Sequence, residues 1–242
     1  MSPAAAAISG PAPALQARCL SRRFGGQWAV VQVDLSLAAG EGLLVAGRNG
    51  SGKSTLLRLL SGALRADRGA ILVEGSSDRS VLLARSALLG HSSGTYEPLT
   101  ALENLSLFAR LLGKPSDRRS LLSRLDEVGL SAHADSLVGT FSAGMHQRLS
   151  LARLLLQDPA VALLDEPHSA LDPEGRRLVD ALIARMKRAG TAVVLASHDL
   201  RRAAASCERA VLLDAGRIQW SGPAAELLMR HGADPAWGEG AL

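Results

Sequence analysis

Residues 47–54 have the composition and spacing of a phosphate-binding loop. They read Gly-Arg-Asn-Gly-Ser-Gly-Lys-Ser, which matches the pattern G-x-x-x-x-G-K-[ST]. Glycines allow backbone N–H groups of such a loop to point at phosphate oxygens, and the lysine reaches the β- and γ-phosphates. A glycine-rich turn that only caps a helix is the alternative, but an apolar run before the loop and a helical stretch after it favour phosphate binding. The residues expected to contact a bound nucleotide are Gly47, Asn49, Gly50, Ser51, Gly52, Lys53, Ser54 and Thr55.

Two adjacent carboxylates, Asp165 and Glu166, follow the apolar residues 161–164. A carboxylate at the tip of a strand can bind Mg²⁺ together with the hydroxyl of Ser54, and the next one can polarise an attacking water as a general base. Two solvated acids at the start of a loop would give the same sequence, but the phosphate loop favours catalysis. We therefore expect Asp165 and Ser54 to bind Mg²⁺, and Glu166 and Lys53 to act in the hydrolysis of a nucleoside triphosphate.

The segments around these residues predict an α/β fold with a mostly parallel core sheet. Short apolar runs, typical of buried parallel strands, recur along the chain, and helical stretches separate the later ones. Alternating apolar and polar residues across 15–37 predict an antiparallel β edge with one wet face. Leucine pairs at helical spacing between 99 and 157, without a convincing strand, predict a helical insert at about residues 92–157. The apolar runs are residues 43–46, 71–73, 161–164, 192–195 and 210–213.

Length and composition limit the possible classes of protein. The chain has 242 residues, 47% of them hydrophobic, which is enough to bury the core of one domain. It has no stretch of about 18 apolar residues, so we expect no membrane-spanning helix. The net charge of +4 comes from basic residues scattered mostly singly or in pairs, and only 3% of residues are aromatic, which argues against nucleic-acid binding. An Ala-rich segment with three prolines predicts a flexible tail over residues 1–14, followed by a single domain over 15–242.

Several motifs occur in an order seen in one family of NTPases. Residues 141–148 read Phe-Ser-Ala-Gly-Met-His-Gln-Arg, similar to an LSGGQ signature, and the Asp-Glu pair, a Ser-Ala-Leu-Asp loop at 169–172 and a lone His198 follow. This order resembles the nucleotide-binding domain of ABC transporters over roughly residues 15–230. The resemblance implies a P-loop NTPase fold of ABC type that hydrolyses ATP with Mg²⁺, as a head-to-tail homodimer formed with ATP. It also implies integral membrane transporter subunits as partners and a place at the cytoplasmic face of the cell membrane.

The resemblance assigns roles to further residues. Ser142 and Gly144 would face the γ-phosphate bound by the opposing protomer, and His198 would contact the γ-phosphate as the switch histidine. Phe24 would stack on adenine, with Trp28 as the second candidate. Ser142 also fits the N-cap of the helix that follows it, and His198 also fits a hydrogen-bonded core histidine.

One position departs from the general family pattern. His91 stands where ABC domains have glutamine, within Leu-Leu-Gly-His-Ser-Ser-Gly at residues 88–94. Its imidazole is a candidate contact for the metal or the attacking water, or it only couples the core to the helical insert. Together with residues 99–105, this segment resembles the haem-exporter ATP-binding subunits of cytochrome c maturation. That resemblance implies haem export or haem delivery. The alternatives are an ATPase subunit of another small drug or lipid exporter, or a soluble ABC ATPase that acts on DNA or ribosomes.

Overall fold

The computed structural model describes residues 12–90 and 94–231. Residues 1–11 of the predicted tail, His91 and the first two residues of the predicted insert lie outside the described residues. The described strands are β1 (Leu15–Phe24), β2 (Gln27–Leu37), β3 (Gly42–Ala46), β4 (Arg68–Val73), β5 (Ser86–Leu89), β6 (Val161–Asp165), β7 (Ala192–Ala196), β8 (Arg209–Asp214) and β9 (Arg217–Pro223). The described α-helices are α1 (Lys53–Leu60), α2 (Arg79–Arg85), α3 (Ala101–Leu111), α4 (Arg118–Asp126), α5 (Ala143–Gln157), α6 (Pro173–Arg188), α7 (Leu200–Ala205) and α8 (Ala224–His231).

Strands β1, β2 and β4 form an antiparallel sheet in the order β2-β1-β4. The alternation across residues 15–37 belongs to two strands, because Gly25 and Gly26, with φ of +52° and +87°, turn the chain into a hairpin. The prediction that residues 71–73 form a buried strand was wrong in part, since they end β4, where only Val73 is buried. This strand lies at the edge of the sheet and has a paired neighbour on one side only.

The second sheet has six strands in the order β5-β6-β7-β3-β8-β9, and only β9 runs antiparallel to its neighbour. Strands β3, β6 and β7 are buried along their whole length, as expected for parallel strands that are covered on both faces. Carboxyl ends of parallel strands meet at one edge of a sheet. This edge therefore brings together the phosphate loop after β3, the Asp-Glu pair at the end of β6 and His198 after β7.

Side chains of the six-stranded sheet alternate between two hydrophobic clusters. Along β3, Leu43 enters the cluster that also contains the leucines of α1, and Leu44 enters the cluster that contains residues of α3 to α6. Residues 99–157 are helical or irregular and contain no strand, as predicted, but they share their core with the sheet. Leu149 of α5 and Leu164 of β6 belong to the same cluster. None of the described helices has the length and apolar character needed to cross a membrane.

Candidate active site

Two glycines of the phosphate loop lie where a side chain would not fit. Gly52 has a φ of +106°, and a Cβ there would lie 2.3 Å from the carbonyl oxygen of Ala29. A Cβ on Gly47 would lie 2.4 Å from the carbonyl oxygen of Leu213. The loop therefore packs tightly between the start of β2 and the end of β8, which fixes its backbone at the edge of the sheet.

The first turn of α1 offers backbone donors. Its N-cap is Gly52, and the described residues supply no side-chain cap there. N–H groups of this turn can therefore bind an anion, which the positive end of the helix dipole also favours. Side chains cap six other helices: Asp78 caps α2, Thr100 caps α3, Asp117 caps α4, Ser142 caps α5, Asp172 caps α6 and Asp199 caps α7.

Lys53 lies at the start of α1, and its ammonium group bonds back to the loop. Its Nζ donates hydrogen bonds to the carbonyl oxygens of Gly47 at 2.7 Å and Arg48 at 3.1 Å. Burial lowers the pKa of Lys53 below its usual value, while the carboxylates of Glu166 and Asp165 act in the opposite direction. The Lys53 ammonium thus interacts with both the phosphate loop and the acidic pair.

Glu166 faces His198 at the carboxyl end of the sheet. Its Oε2 lies 2.8 Å from Nδ1 of His198 and accepts a hydrogen bond from Oγ of Ser197 at 3.3 Å. Glu166 has a φ of +52°, which is uncommon for a residue other than glycine, and its N–H donates to the carbonyl oxygen of Ala196 at 2.8 Å. The preceding Asp165 is buried. The two residues predicted separately as base and switch histidine therefore form a pair.

One pocket of about 430 Å³ brings most of the predicted residues together. Gly47 and Ser51 contribute to the loop without lining this pocket, and the Ser51 hydroxyl is buried without a hydrogen-bond partner among the described residues. Sequence reasoning missed Ser169, which lines the pocket, and Ser197, which bonds to Glu166. The signal for Ser197 is its position between a buried strand and a polar histidine. The lining residues are Ala29, Asn49, Gly50, Gly52, Lys53, Ser54, Thr55, Asp165, Glu166, Ser169 and His198.

The oxygen donors of this pocket suit Mg²⁺. Ser54 offers a hydroxyl oxygen and Asp165 a carboxylate, and both residues line the pocket. Mg²⁺ in proteins is usually bound by one or two such groups, with water and substrate phosphates in the other positions. No group of three or more His, Cys, Asp or Glu side chains in the described part of the chain could hold a metal ion. The hydroxyl of Ser54 and the carboxylate of Asp165 fit Mg²⁺ that binds together with a nucleotide. His91, the third predicted ligand, lies outside the described residues.

The two aromatic candidates lie beside the hairpin between β1 and β2. Phe24 and Trp28 are 47% and 41% exposed, and the guanidinium of Arg22 lies 4.9 Å from the centre of the Phe24 ring. Neither aromatic residue lines the phosphate-loop pocket as the described residues form it. The adenine contact of Phe24 stays a prediction.

Ser142 and Gly144 line a second pocket, of about 500 Å³, at the start of α5. Oγ of Ser142 accepts a hydrogen bond from the N–H of Met145 at 3.3 Å, so the N-cap prediction is confirmed. A Cβ on Gly144 would lie 3.1 Å from the carbonyl oxygen of Ala170. The described residues that line this pocket and those that line the phosphate-loop pocket do not overlap. In one chain, the signature and the phosphate loop therefore lie in separate pockets.

Comparisons with known proteins place these motifs among relatives. A family model described as ABC transporter matches residues 30–169. The cytochrome c biogenesis ATP-binding export protein CcmA of Xanthomonas campestris pv. campestris (strain 8004) is 41% identical over 190 residues, which cover 77% of this chain and 87% of the relative. The phosphonates import ATP-binding protein PhnC 1 of Natronomonas pharaonis is 38% identical over 216 residues, covering 86% and 93%. A solved ATP-binding subunit of an ABC transporter has a TM-score of 0.82 at 28% identity and covers 90% of this chain and 93% of that one. All three relatives are named as ATP-binding proteins. One of them is named as an export protein and another as an import protein.

Proposed function

The chain belongs to the ABC transporter family as an ATP-binding subunit that hydrolyses ATP, and we propose that it drives haem export for cytochrome c maturation. The observation that supports this assignment is the 41% identity to an export protein of cytochrome c biogenesis. The resemblance of residues 88–94 and 99–105 to the same group of subunits agrees with it. The phosphonate importer at 38% identity favours a second candidate, an ATP-binding subunit that serves another cargo.

In this proposal, the phosphate loop binds the triphosphate of ATP. N–H groups at the start of α1 donate to phosphate oxygens. Phosphate oxygens also replace the carbonyl oxygens of Gly47 and Arg48 as acceptors for Nζ of Lys53. Ser54 and Asp165 would hold Mg²⁺, which would supply positive charge to neutralise the phosphates.

Glu166 acts as the general base of the reaction. Its carboxylate takes the proton of the attacking water, a step for which it must be ionised and correctly aimed. Nδ1 of His198 lies 2.8 Å from Oε2 of Glu166 and holds this carboxylate in place. The His198 side chain is 63% exposed, so it can also contact the γ-phosphate from the pocket side.

A head-to-tail homodimer would complete the site. The signature pocket with Ser142 and Gly144 is separate from the phosphate-loop pocket of the same chain. Its helix N-terminus is a second place where an anion is favoured, so a second copy of the chain can present it to the γ-phosphate. Integral membrane subunits, contacted through the helical insert, would carry the cargo, and ATP-driven closure of the dimer would move them.

Replacing the base tests the catalytic assignment. Glu166→Gln removes the carboxylate but keeps the shape of the side chain, so we expect ATP turnover to fall by about 10²-fold or more. ATP binding, measured with a fluorescent analogue, should persist. Glu174→Gln is the matched control, because it changes an exposed glutamate in the first turn of α6. A Glu166→Gln protein with the turnover of the control would refute the assignment.

The same two variants test the cargo in cells. We expect a strain that carries only Glu166→Gln to lose mature c-type cytochromes, measured by haem staining, and a strain with Glu174→Gln to retain them. Normal c-type cytochromes in the Glu166→Gln strain, with ATP turnover abolished in the purified protein, would exclude the role in cytochrome c maturation and favour another cargo.

A further inference from the structure

His168 is buried two residues after Glu166, in the loop between β6 and α6. Its Nε2 donates a hydrogen bond to Oδ1 of Asp180 at 2.8 Å. Its Nδ1 is buried and has no hydrogen-bond partner within the described part of the chain. An apolar side chain of similar size would fill this space without leaving an acceptor unpaired. Histidine differs from an apolar residue at this position because it donates the hydrogen bond to Asp180.

Asp180 connects this loop to α7. It lies on α6, and its Oδ2 accepts a hydrogen bond from Nη1 of Arg202 at 2.5 Å. The backbone N–H of Arg202 donates to Oδ1 of Asp199 at 3.1 Å, and Asp199 is the N-cap of α7. Helix α7 starts directly after His198 and its N-cap Asp199. The Asp180 carboxylate therefore connects the loop that follows Glu166 to the helix that follows His198.

Ser197 closes these contacts into a ring. The N–H of Asp199 donates to Oγ of Ser197 at 3.1 Å, and this hydroxyl donates to Oε2 of Glu166 at 3.3 Å. The same carboxylate oxygen lies 2.8 Å from Nδ1 of His198. The ring thus runs through Glu166, His168, Asp180, Arg202, Asp199 and Ser197, and it holds the Glu166–His198 pair on its pocket side.

We infer that His168 is a positioning residue for ATP hydrolysis: through Asp180 and Arg202 it holds the start of α7, and with it His198, against Glu166. His168 does not line the phosphate-loop pocket as described, so it acts through other residues. With 63% of its side chain exposed, His198 is not fixed by packing alone, and the ring supplies the missing restraint. The inference rests on the proposed roles of Glu166 and His198.

Two substitutions of His168 separate the hydrogen bond from the packing. His168→Leu fills the space but has no donor, and we expect kcat for ATP hydrolysis to fall about ten-fold with KM for ATP unchanged, as the loss of a supporting contact does. The amide nitrogen of glutamine can occupy the position of Nε2, so His168→Gln should restore kcat to within about three-fold of the wild type. Arg202→Met opens the ring at a partly exposed residue, and it should reproduce the loss of kcat if His168→Leu does not fold.

A second mutation and a control variant show whether the effect passes through the Glu166–His198 pair. In His198→Ala protein, measured by single-turnover hydrolysis, His168→Leu should cause no further loss, because the residue it positions is already absent. Arg85→Gln is the matched control: it removes the exposed Arg85–Glu74 pair, whose hydrogen bonds of 2.8 and 2.9 Å lie outside the ring. Its kcat should equal that of the wild type.

The outcomes are distinct. An unchanged kcat in folded His168→Leu, or in Arg202→Met if His168→Leu does not fold, overturns the inference. So does an equal loss in His168→Leu and His168→Gln, or a full additional loss in the His198→Ala background. If Glu166→Gln loses turnover while His168→Leu keeps it, only this inference fails. If Glu166→Gln keeps its turnover, the proposed function of Glu166 fails, and the positioning role fails with it.

Discussion

At the scale of single residues, burial governs the protonation of His168. Its removal from water lowers its pKa below the ordinary histidine value, and the nearby Arg202 acts in the same direction. The hydrogen bond and charge of Asp180, and the charge of Asp199, raise the pKa and only partly offset this effect. The imidazole is therefore neutral at neutral pH, with its proton on Nε2 where Asp180 accepts it.

This depressed pKa makes stability depend on pH. Because the folded protein binds a proton at His168 less readily than the unfolded chain, the unfolding free energy should fall as the pH drops below about 6.5, the pKa of an unperturbed histidine. His168→Gln has no titrating group, so its stability should fall less between about pH 7.5 and 5.5. Urea unfolding at a series of pH values measures this. His133→Gln, which replaces an exposed histidine, is the control, and equal pH slopes for His168→Gln and the wild type would contradict the prediction.

Residue types and spacing predicted the phosphate loop, Asp165 and Glu166, because each motif has a chemical reason to follow its own strand, and the family resemblance added His198. They could not reveal which side chains meet. The contact of Glu166 with His198 depends on β6 and β7 being neighbours in the sheet. Local sequence patterns do not predict the order of strands in a sheet. The contact of His168 could not be predicted for the same reason, since its partner Asp180 lies twelve positions further along the chain.

At the scale of elements, one buried amide secures the segment that leads into α3. Asn104 is fully buried, and its Oδ1 accepts a hydrogen bond from the N–H of Tyr96 at 2.8 Å. Its Nδ2 donates to the carbonyl oxygens of Tyr96 and Thr100, both at 3.0 Å. A capping box between Thr100 and Glu103 starts the helix beside it. Side-chain and backbone polar groups of this turn are thereby paired.

Removing that amide should destabilise the protein. Asn104→Ala leaves the N–H of Tyr96 without its acceptor and opens a cavity, so we expect the unfolding free energy to fall by about 2–4 kcal/mol. Ser106→Ala, on the same helix, should change it by less than about 0.5 kcal/mol. Urea denaturation with equal m-values provides the measurement. A loss in Asn104→Ala no larger than in Ser106→Ala would show that the segment is held by other contacts.

Elements with a single strong pattern were predicted well, and those that depend on their neighbours were not. The helical stretch expected after the phosphate loop is α1, because a glycine turn precedes it and Gly62, with a φ of +74°, follows it. Residues 71–73 have the same apolar character as the core strands, yet they end an edge strand of the antiparallel sheet. A short apolar run does not specify the sheet in which it pairs.

At the scale of the whole molecule, each chain carries two different halves of the proposed site in separate pockets. One half is the pocket of Lys53 and Glu166, and the other is the pocket of Ser142 and Gly144. In a head-to-tail pair, each half meets its complement on the other copy, so the pair contains two composite sites. A defect in either half should therefore be complemented by a chain that is defective in the other.

Mixing two inactive variants tests this arrangement. Lys53→Met disables the phosphate loop, and Ser142→Arg blocks the signature, so each protein alone should be inactive. In an equal mixture, half of the dimers contain one copy of each variant, and each of these mixed dimers has one intact site out of two. If the two sites act independently, activity should therefore recover to about a quarter of the wild-type rate. Melting temperatures of both variants control for folding, since Ser142→Arg also removes a helix cap. No recovery in folded mixtures that associate with ATP would refute the composite site.

The uncapped start of α1 has a consequence for the protein in the cell. N-cap side chains accept hydrogen bonds from the first turn of six other helices, whereas the backbone N–H groups in the first turn of α1 can bind an anion. A ligand that binds only the folded chain stabilises it by mass action, by about 2.7 kcal/mol at a hundred times its dissociation constant. The nucleotide is then a structural component as well as an energy source. Depletion of ATP would reduce the abundance of this subunit, through faster degradation of unfolded chains, in addition to slowing transport.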